Sequence, residues 1–177
     1  MFLKNYYKAL AVVTSAKKVT YRAKDGKYYD VGVGDNCRGA LQIGSSSNYQ
    51  YIPSMYQPRT SYTAGGGVVF GDGTTPPTLD DYCLSGNLIT AVTPSVSVTK
   101  TDDDDGVTLV GVYTLVNTGD TDVTVGEVAL MCNLCNSNTT AEIKGFIERT
   151  VLDSPVTIPA GGVGQITYTI KLVYPTD

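Results

Sequence analysis

The sequence predicts a mainly β, antiparallel fold, and three observations carry that expectation. Thr and Val are the commonest residues, 13 Tyr join them, and there is no Trp and no His; β-branched and aromatic side chains suit a pleated, half-buried surface. Short apolar runs recur every ~10–15 residues, separated by Gly, Pro, Asp and Asn clusters that read as turns. The final run, 164–174, alternates cleanly, with Ile166, Tyr168, Ile170, Leu172 and Tyr174 on one face and Gln165, Thr167, Thr169 and Lys171 on the other.

The N-terminal third departs from this pattern. Over 2–17, Leu3, Tyr6/Tyr7, Leu10 and Val13 recur at three- and four-residue steps, while Lys4, Lys8 and Lys17 lie off that stripe. The spacing predicts a short amphipathic helix. Runs at 19–21 and 27–33 flank Asp25-Gly26, a hairpin-type dipeptide, and predict a small two-stranded element. Residues 34–67 have weak periodicity, two X-Pro steps (Pro53, Pro58) and the Gly65-Gly66-Gly67 run. They read as extended chain, ordered by contact with something else.

From Val68 onward the pattern is strands and turns. Residues 68–70 form a short apolar run, followed by the rigid Gly71-Asp-Gly-Thr-Thr-Pro-Pro turn. Strands are expected at 88–93 and at 95–101, where Val96 and Val98 alternate with Ser95, Ser97 and Thr99. The acidic turn 102–106 leads into 107–118, apolar on both faces and therefore expected to be central. Strands at 123–132, 142–152, 155–158 and 164–174 complete the set. Six to eight strands of this kind over about 100 residues describe an immunoglobulin-like β-sandwich. The Cys…Trp…Cys signature of antibody domains is absent. The expected division is residues 1–67 as helix, small hairpin and extended arm, and 68–177 as the sandwich.

Composition also excludes functions. At 177 residues the chain is one domain, or one domain with an arm. Glycine has no three-residue period, no run of ~18 apolar residues exists to span a membrane, and Trp platforms for sugars are missing. Without His there is no Ser-His-Asp triad, no Cys-His pair and no His metal site. The net charge of −4 is uneven: residues 1–38 hold eight Lys/Arg against three Asp (+5), and the rest hold five against fourteen acids (−9). A basic arm on an acidic body suits an acidic protein surface or further copies of the chain. It suits nucleic acid poorly, since the arm is sparse in Arg and the body repels phosphate. The apolar stretch Ala9–Val13 is shorter than the ~7–15 residues of a secretory core, so no signal peptide is expected.

Each candidate chemical motif has a plainer alternative. Cys132-Asn-Leu-Cys135 has the spacing of half a zinc site, with no second pair; with Cys37 and Cys83 the readings are a metal, a disulfide, or reduced thiols at a strand end, of which the last is expected. Asp103, Asp105 and Gly106 fall in register with a calcium loop that starts at Thr101, but its first position is Thr and its twelfth is Val112, so a solvated hairpin turn is expected. Asp80-Asp81 and Asp120/Asp122 are paired only in sequence. No catalytic residue, cofactor or metal is therefore expected. The tyrosines of the irregular region, together with the N-terminal ones, are the candidate contact residues: Tyr6, Tyr7, Lys8, Tyr49, Tyr51, Tyr56 and Tyr62.

Three stretches carry a likeness: VVFGDGTTPPTLDDYCLSGNLI at 68–89, LVNTGDTDVTVGEVALM at 115–131 and ERTVLDSPVTIPAGGVGQITYTI at 148–170. Together they resemble a group of small structural proteins of tailed bacteriophages. In that group a Gly-x-Gly-Thr-x-x-Pro-Thr-x-x-Asp-Tyr-x-Leu segment precedes an Ig-like sandwich. The resemblance covers roughly 68–174, and its specific part is Gly71–Leu84. It implies a non-enzymatic virion component in many copies, assembled in the host cytoplasm as a homo-oligomer with capsid or tail proteins, without direct nucleic-acid or membrane contact. Head fibre, capsid auxiliary protein and tail or baseplate fitting all stay open. The alternatives are a bacterial cell-surface or adhesive Ig-like module and a glycan-binding module.

Overall fold

A computed structural model describes residues 2, 19–31, 41–42, 50–51, 55–62, 66–135 and 142–173. Its elements are β1 (Val19–Arg22), β2 (Tyr28–Val31), β3 (Leu41–Gln42), β4 (Gln50–Tyr51), β5 (Pro58–Arg59), β6 (Gly67–Gly71), β7 (Val92–Asp103), β8 (Gly106–Asn117), β9 (Val123–Cys135), β10 (Glu142–Ile158) and β11 (Val163–Val173). The described residues are mainly β and contain no helix. The helix expected over 2–17 lies outside them, except for Phe2, which makes an antiparallel bridge to Glu148.

Two sheets enclose one core. The three-stranded sheet runs β11-β8-β7, so β8 is central, as its two apolar faces predict. The larger sheet centres on β9, with β10 along one edge and β6 and β4 along the other; β5 and β3 extend it. Val68, Phe70, Val128, Leu130, Cys132, Ile147 and Ile158 of the larger sheet meet Val92, Tyr113, Leu115, Ile166, Tyr168 and Ile170 of the smaller one. The Phe70 and Tyr113 rings pack edge to face, with centroids 5.4 Å apart.

The β1–β2 hairpin forms where Asp25-Gly26 places it, with Gly26 at φ 78° and the Lys27 amide donating to Asp25 Oδ1 at 3.0 Å. The acidic turn is likewise a hairpin: Asp103 Oδ1 accepts the amides of Asp105 and Gly106 at 3.0 and 3.1 Å. Two expectations need correction. The expected strand at 88–93 begins only at Val92, and Leu88 makes a single bridge to Gly71. The runs at 142–152 and 155–158 are one strand, β10, whose register shifts between Val151 and Val156. Pro155 sits inside that irregular stretch, where no ladder donor is required of it.

A second shift in β10 falls between Phe146 and Glu148. Phe146 opposes Met131, Glu148 opposes Leu130, and Ile147 is the extra residue. Ile147 joins the inter-sheet core while Phe146 belongs to a second cluster with Val69, Leu84, Ala129 and Met131 on the far face of the sheet. The bulge thus sends Ile147 inward without disturbing the faces on either side.

In β11, Ile166, Tyr168 and Ile170 are buried as their alternation predicts, but Leu172 is 38% exposed. The period was right and the core ends one residue pair earlier than expected. Ile170→Ala is expected to cost ~2–5 kcal/mol in chemical denaturation, and Leu172→Ala less than ~1 kcal/mol. Equal losses would show that the core extends to the end of the strand.

Part of the segment read as extended arm packs on the chain itself. Met55 is buried in the inter-sheet core, and its carbonyl accepts the Tyr113 hydroxyl at 2.7 Å. β5 lies parallel to β6, and the Val68 amide donates to the Gln57 carbonyl at 3.0 Å. A Cβ on Gly67 would come within 2.1 Å of that carbonyl. The last glycine of the Gly-Gly-Gly run therefore permits a close backbone approach.

Candidate functional site

The connection from β6 to β7, residues 72–91, lies over the outer face of the larger sheet. Leu84 is buried there, and Cys83 and Leu88 pack beside it. Beneath this cap sit two buried charged residues. Glu127 of β9 is fully buried and Arg149 of β10 is 2% exposed. Arg149 opposes Ala129, and Val151 opposes Glu127, so the two charges are diagonal neighbours on one face.

Every guanidinium N–H of Arg149 has an acceptor. Nε and Nη2 donate to Asp81 Oδ2 at 3.0 and 2.5 Å, and Nη2 also donates to the Pro76 carbonyl at 3.2 Å. Nη1 donates to the Thr75 carbonyl at 3.0 Å and to Glu127 Oε2 at 2.8 Å. Glu127 in turn accepts the Ser85 amide and hydroxyl, both at 3.1 Å, and the Gly86 amide at 2.8 Å. Asp81 also accepts the Thr78 amide and hydroxyl at 2.9 and 2.8 Å. One arginine and one glutamate from the sheet thus fasten both arms of the cap. Glycine is required at the crossing: a Cβ on Gly73 would lie 2.0 Å from Ser85 Oγ and 2.3 Å from Glu127 Oε1.

Burial raises the Asp81 carboxyl, but the Thr78 amide, the Arg149 guanidinium and the Thr78 hydroxyl outweigh it and hold it below its ordinary range. Burial opposes the charge on Arg149, and Asp81 and Glu127 more than restore it. A depressed folded-state carboxyl stabilises the fold above the unfolded-chain value, and this contribution is lost as pH falls through the lower folded value. Thermal denaturation from neutral to acid pH is expected to show that loss. An Asp81→Asn chain should be less stable at neutral pH and fall less steeply in acid; parallel curves would remove Asp81 from the account.

The β1–β2 hairpin packs against the same cap. Arg22 lies 3.7 Å from the Tyr82 ring centroid and 5.6 Å from that of Tyr28. Lys24 Nζ is 4.6 Å from the centroid of Tyr62, whose ring meets Phe146 edge to face at 6.0 Å. Burial, then Cys83 and Glu127, push the Tyr62 hydroxyl up to about 12. Burial, then Asp81 and Glu127, raise the Cys83 thiol.

Of the candidate contact residues, Tyr6, Tyr7, Lys8 and Tyr49 lie outside the described residues. Tyr51 pairs with Asn133 through β4, Tyr56 is 65% exposed, and Tyr62 is half-buried beneath Lys24. Of the acids paired in sequence, Asp81 accepts from Thr78 and Arg149, and Asp122 accepts the Ala160 amide at 3.1 Å. Asp122 and Asp72 line an open depression of about 270 Å³ with Ile89, Thr90, Ala91, Val123 and Thr124. Asp72 is occupied there by the Asn87 amide at 2.6 Å and side chain at 3.1 Å. Among the described residues no three acid, Cys or His side chains are placed to share a metal ion.

No known family, curated protein or solved structure matches the chain. Its chemistry is thus read from the site alone. The five donors of Arg149 are all engaged within the protein, so this cluster presents no donor to an incoming anion. It fixes a cap. Sequence reasoning missed Glu127 and Arg149; a signal was available for Glu127 alone, the single charged residue of β9, whereas Arg149 follows Glu148 in a strand that carries several charges.

Proposed function

We propose that this chain is a non-enzymatic structural subunit of a tailed-bacteriophage particle, built on an Ig-like sandwich and present in several copies. Its N-terminal residues contact capsid or tail subunits, and it assembles in the host cytoplasm. The supporting observation is the meeting of the three stretches that carry the phage-protein resemblance. Asp81 belongs to the first, Glu127 to the second and Arg149 to the third, and they join in one buried cluster. The residues that carry the likeness are therefore the ones that lock a shaped cap onto a rigid body, which suits a building block.

Connectivity supports the sandwich reading. The β8–β9 and β10–β11 connections pass from one sheet to the other, and β11 returns to lie beside β8. Ig-like folds use Greek-key connections of this kind. Mass spectrometry of gradient-purified particles, from a host carrying the gene, tests the function. The chain should co-purify with capsid or tail proteins in a fixed ratio. Its recovery only in soluble or envelope fractions would overturn the reading.

A further inference from the structure

We propose that β11 is a self-association edge, joining two copies of this chain through an antiparallel β11–β11 pair on a two-fold axis. Among the described residues β11 pairs with β8 alone, over all eleven positions and without a shift. Its other side is a row of backbone donors and acceptors, a template for another strand. The opposite edge of the same sheet is defended. There β7 carries Pro94 and the exposed Lys100–Asp102 pair at 2.8 Å. The β11 strand has no Pro, no bulge and one charge, Lys171.

The sequence of β11 selects the occupant. In Val-Gly-Gln-Ile-Thr-Tyr-Thr-Ile-Lys-Leu-Val three of the five pairs that flank Tyr168 symmetrically are identical (Thr167/Thr169, Ile166/Ile170 and Val163/Val173), and the other two are Gln165/Lys171 and Gly164/Leu172. A two-fold pairing with Tyr168 opposite itself sets Ile166 against Ile170, Thr167 against Thr169 and Val163 against Val173. Val163 and Val173 are 63% and 65% exposed, at opposite ends of the strand and on its outward face. This register brings each onto its mate in the other copy. It sets the exposed Leu172 opposite Gly164, and Lys171 opposite the Gln165 amide, so the two lysines do not face each other. Such an interface is isologous and closes at two copies, turning two three-stranded sheets into one of six.

The inference stands on β11 alone. A monomeric chain would leave the virion reading intact, and absence from particles would leave the dimer intact. Sedimentation velocity on the full chain tests it, with Gln165→Lys and Gln165→Glu as the variants. Position 165 is exposed, so neither change touches the core. The parent should dimerise in a concentration-dependent way. Gln165→Lys faces Lys171 twice per dimer and should weaken association about tenfold, while Gln165→Glu should strengthen it severalfold. Added salt should narrow the difference. A parent that stays monomeric up to millimolar concentration would overturn the proposal. So would a dimer that neither variant moves, one that both move in the same direction, or pairing of β11 with an unrelated strand.

Discussion

Replacing Arg149 with alanine is expected to destabilise the fold by about 3–5 kcal/mol, because it leaves a buried charge without its partner. Glu127 is fully buried, and Arg149 Nη1 is bonded to its Oε2. The Thr75 and Pro76 carbonyls lose their donor in the same step. Arg149→Lys should recover only part of the loss, since one ammonium cannot reproduce a planar fork reaching Asp81, Glu127 and two carbonyls. Combining Arg149→Met with Glu127→Gln should be milder than Arg149→Ala alone, because both charges leave together. Urea denaturation of the four chains compares these losses. An Arg149→Ala chain as stable as its parent would mean that apolar contacts alone hold the cap.

Phe70→Ala is expected to have an effect of the same size, about 3–5 kcal/mol, for a different reason. Phe70 is fully buried between the sheets against Tyr113. Val68 and Phe70 face the inter-sheet core and Val69 faces the cap cluster, so both faces of β6 are covered. Removing the ring leaves a cavity that rigid sheets on either side cannot close. The same denaturation experiment should show the loss as a lower midpoint with an unchanged slope. A Phe70→Ala loss under ~1 kcal/mol would mean that the core repacks into the space.

What could be read from the sequence was local. Period-two alternation in β11 placed Ile166, Tyr168 and Ile170 correctly, and Asp25-Gly26 and the run of aspartates gave their hairpins, because turn chemistry acts over a few residues. Leu172 was misplaced because alternation gives a side chain's face and not where the opposing sheet stops. The Gly65–Gly67 run reads as part of an extended chain because sequence does not reveal the carbonyl of Gln57 that excludes a Cβ at Gly67. The cluster of Asp81, Glu127 and Arg149 was invisible for a related reason. Its members stand 22 and 68 residues apart, and only the completed sheet and cap bring them together.

The bulge at Ile147 also bears on which length changes this chain tolerates. Strand residues alternate between faces, so losing one normally turns every later side chain inside out. Ile147 is the exception, because the ladder passes from Phe146–Met131 directly to Glu148–Leu130. A chain lacking it would forfeit one core side chain and still present Arg149 to Glu127. A residue lost between Glu148 and Val151 has no such slack, and would turn the arginine or its neighbours away from the cap. Length variation among relatives of this protein should therefore collect at Ile147 and at the irregular stretch before Val156, and avoid the four residues from Glu148 to Val151 between them, which hold Arg149 in register with Glu127.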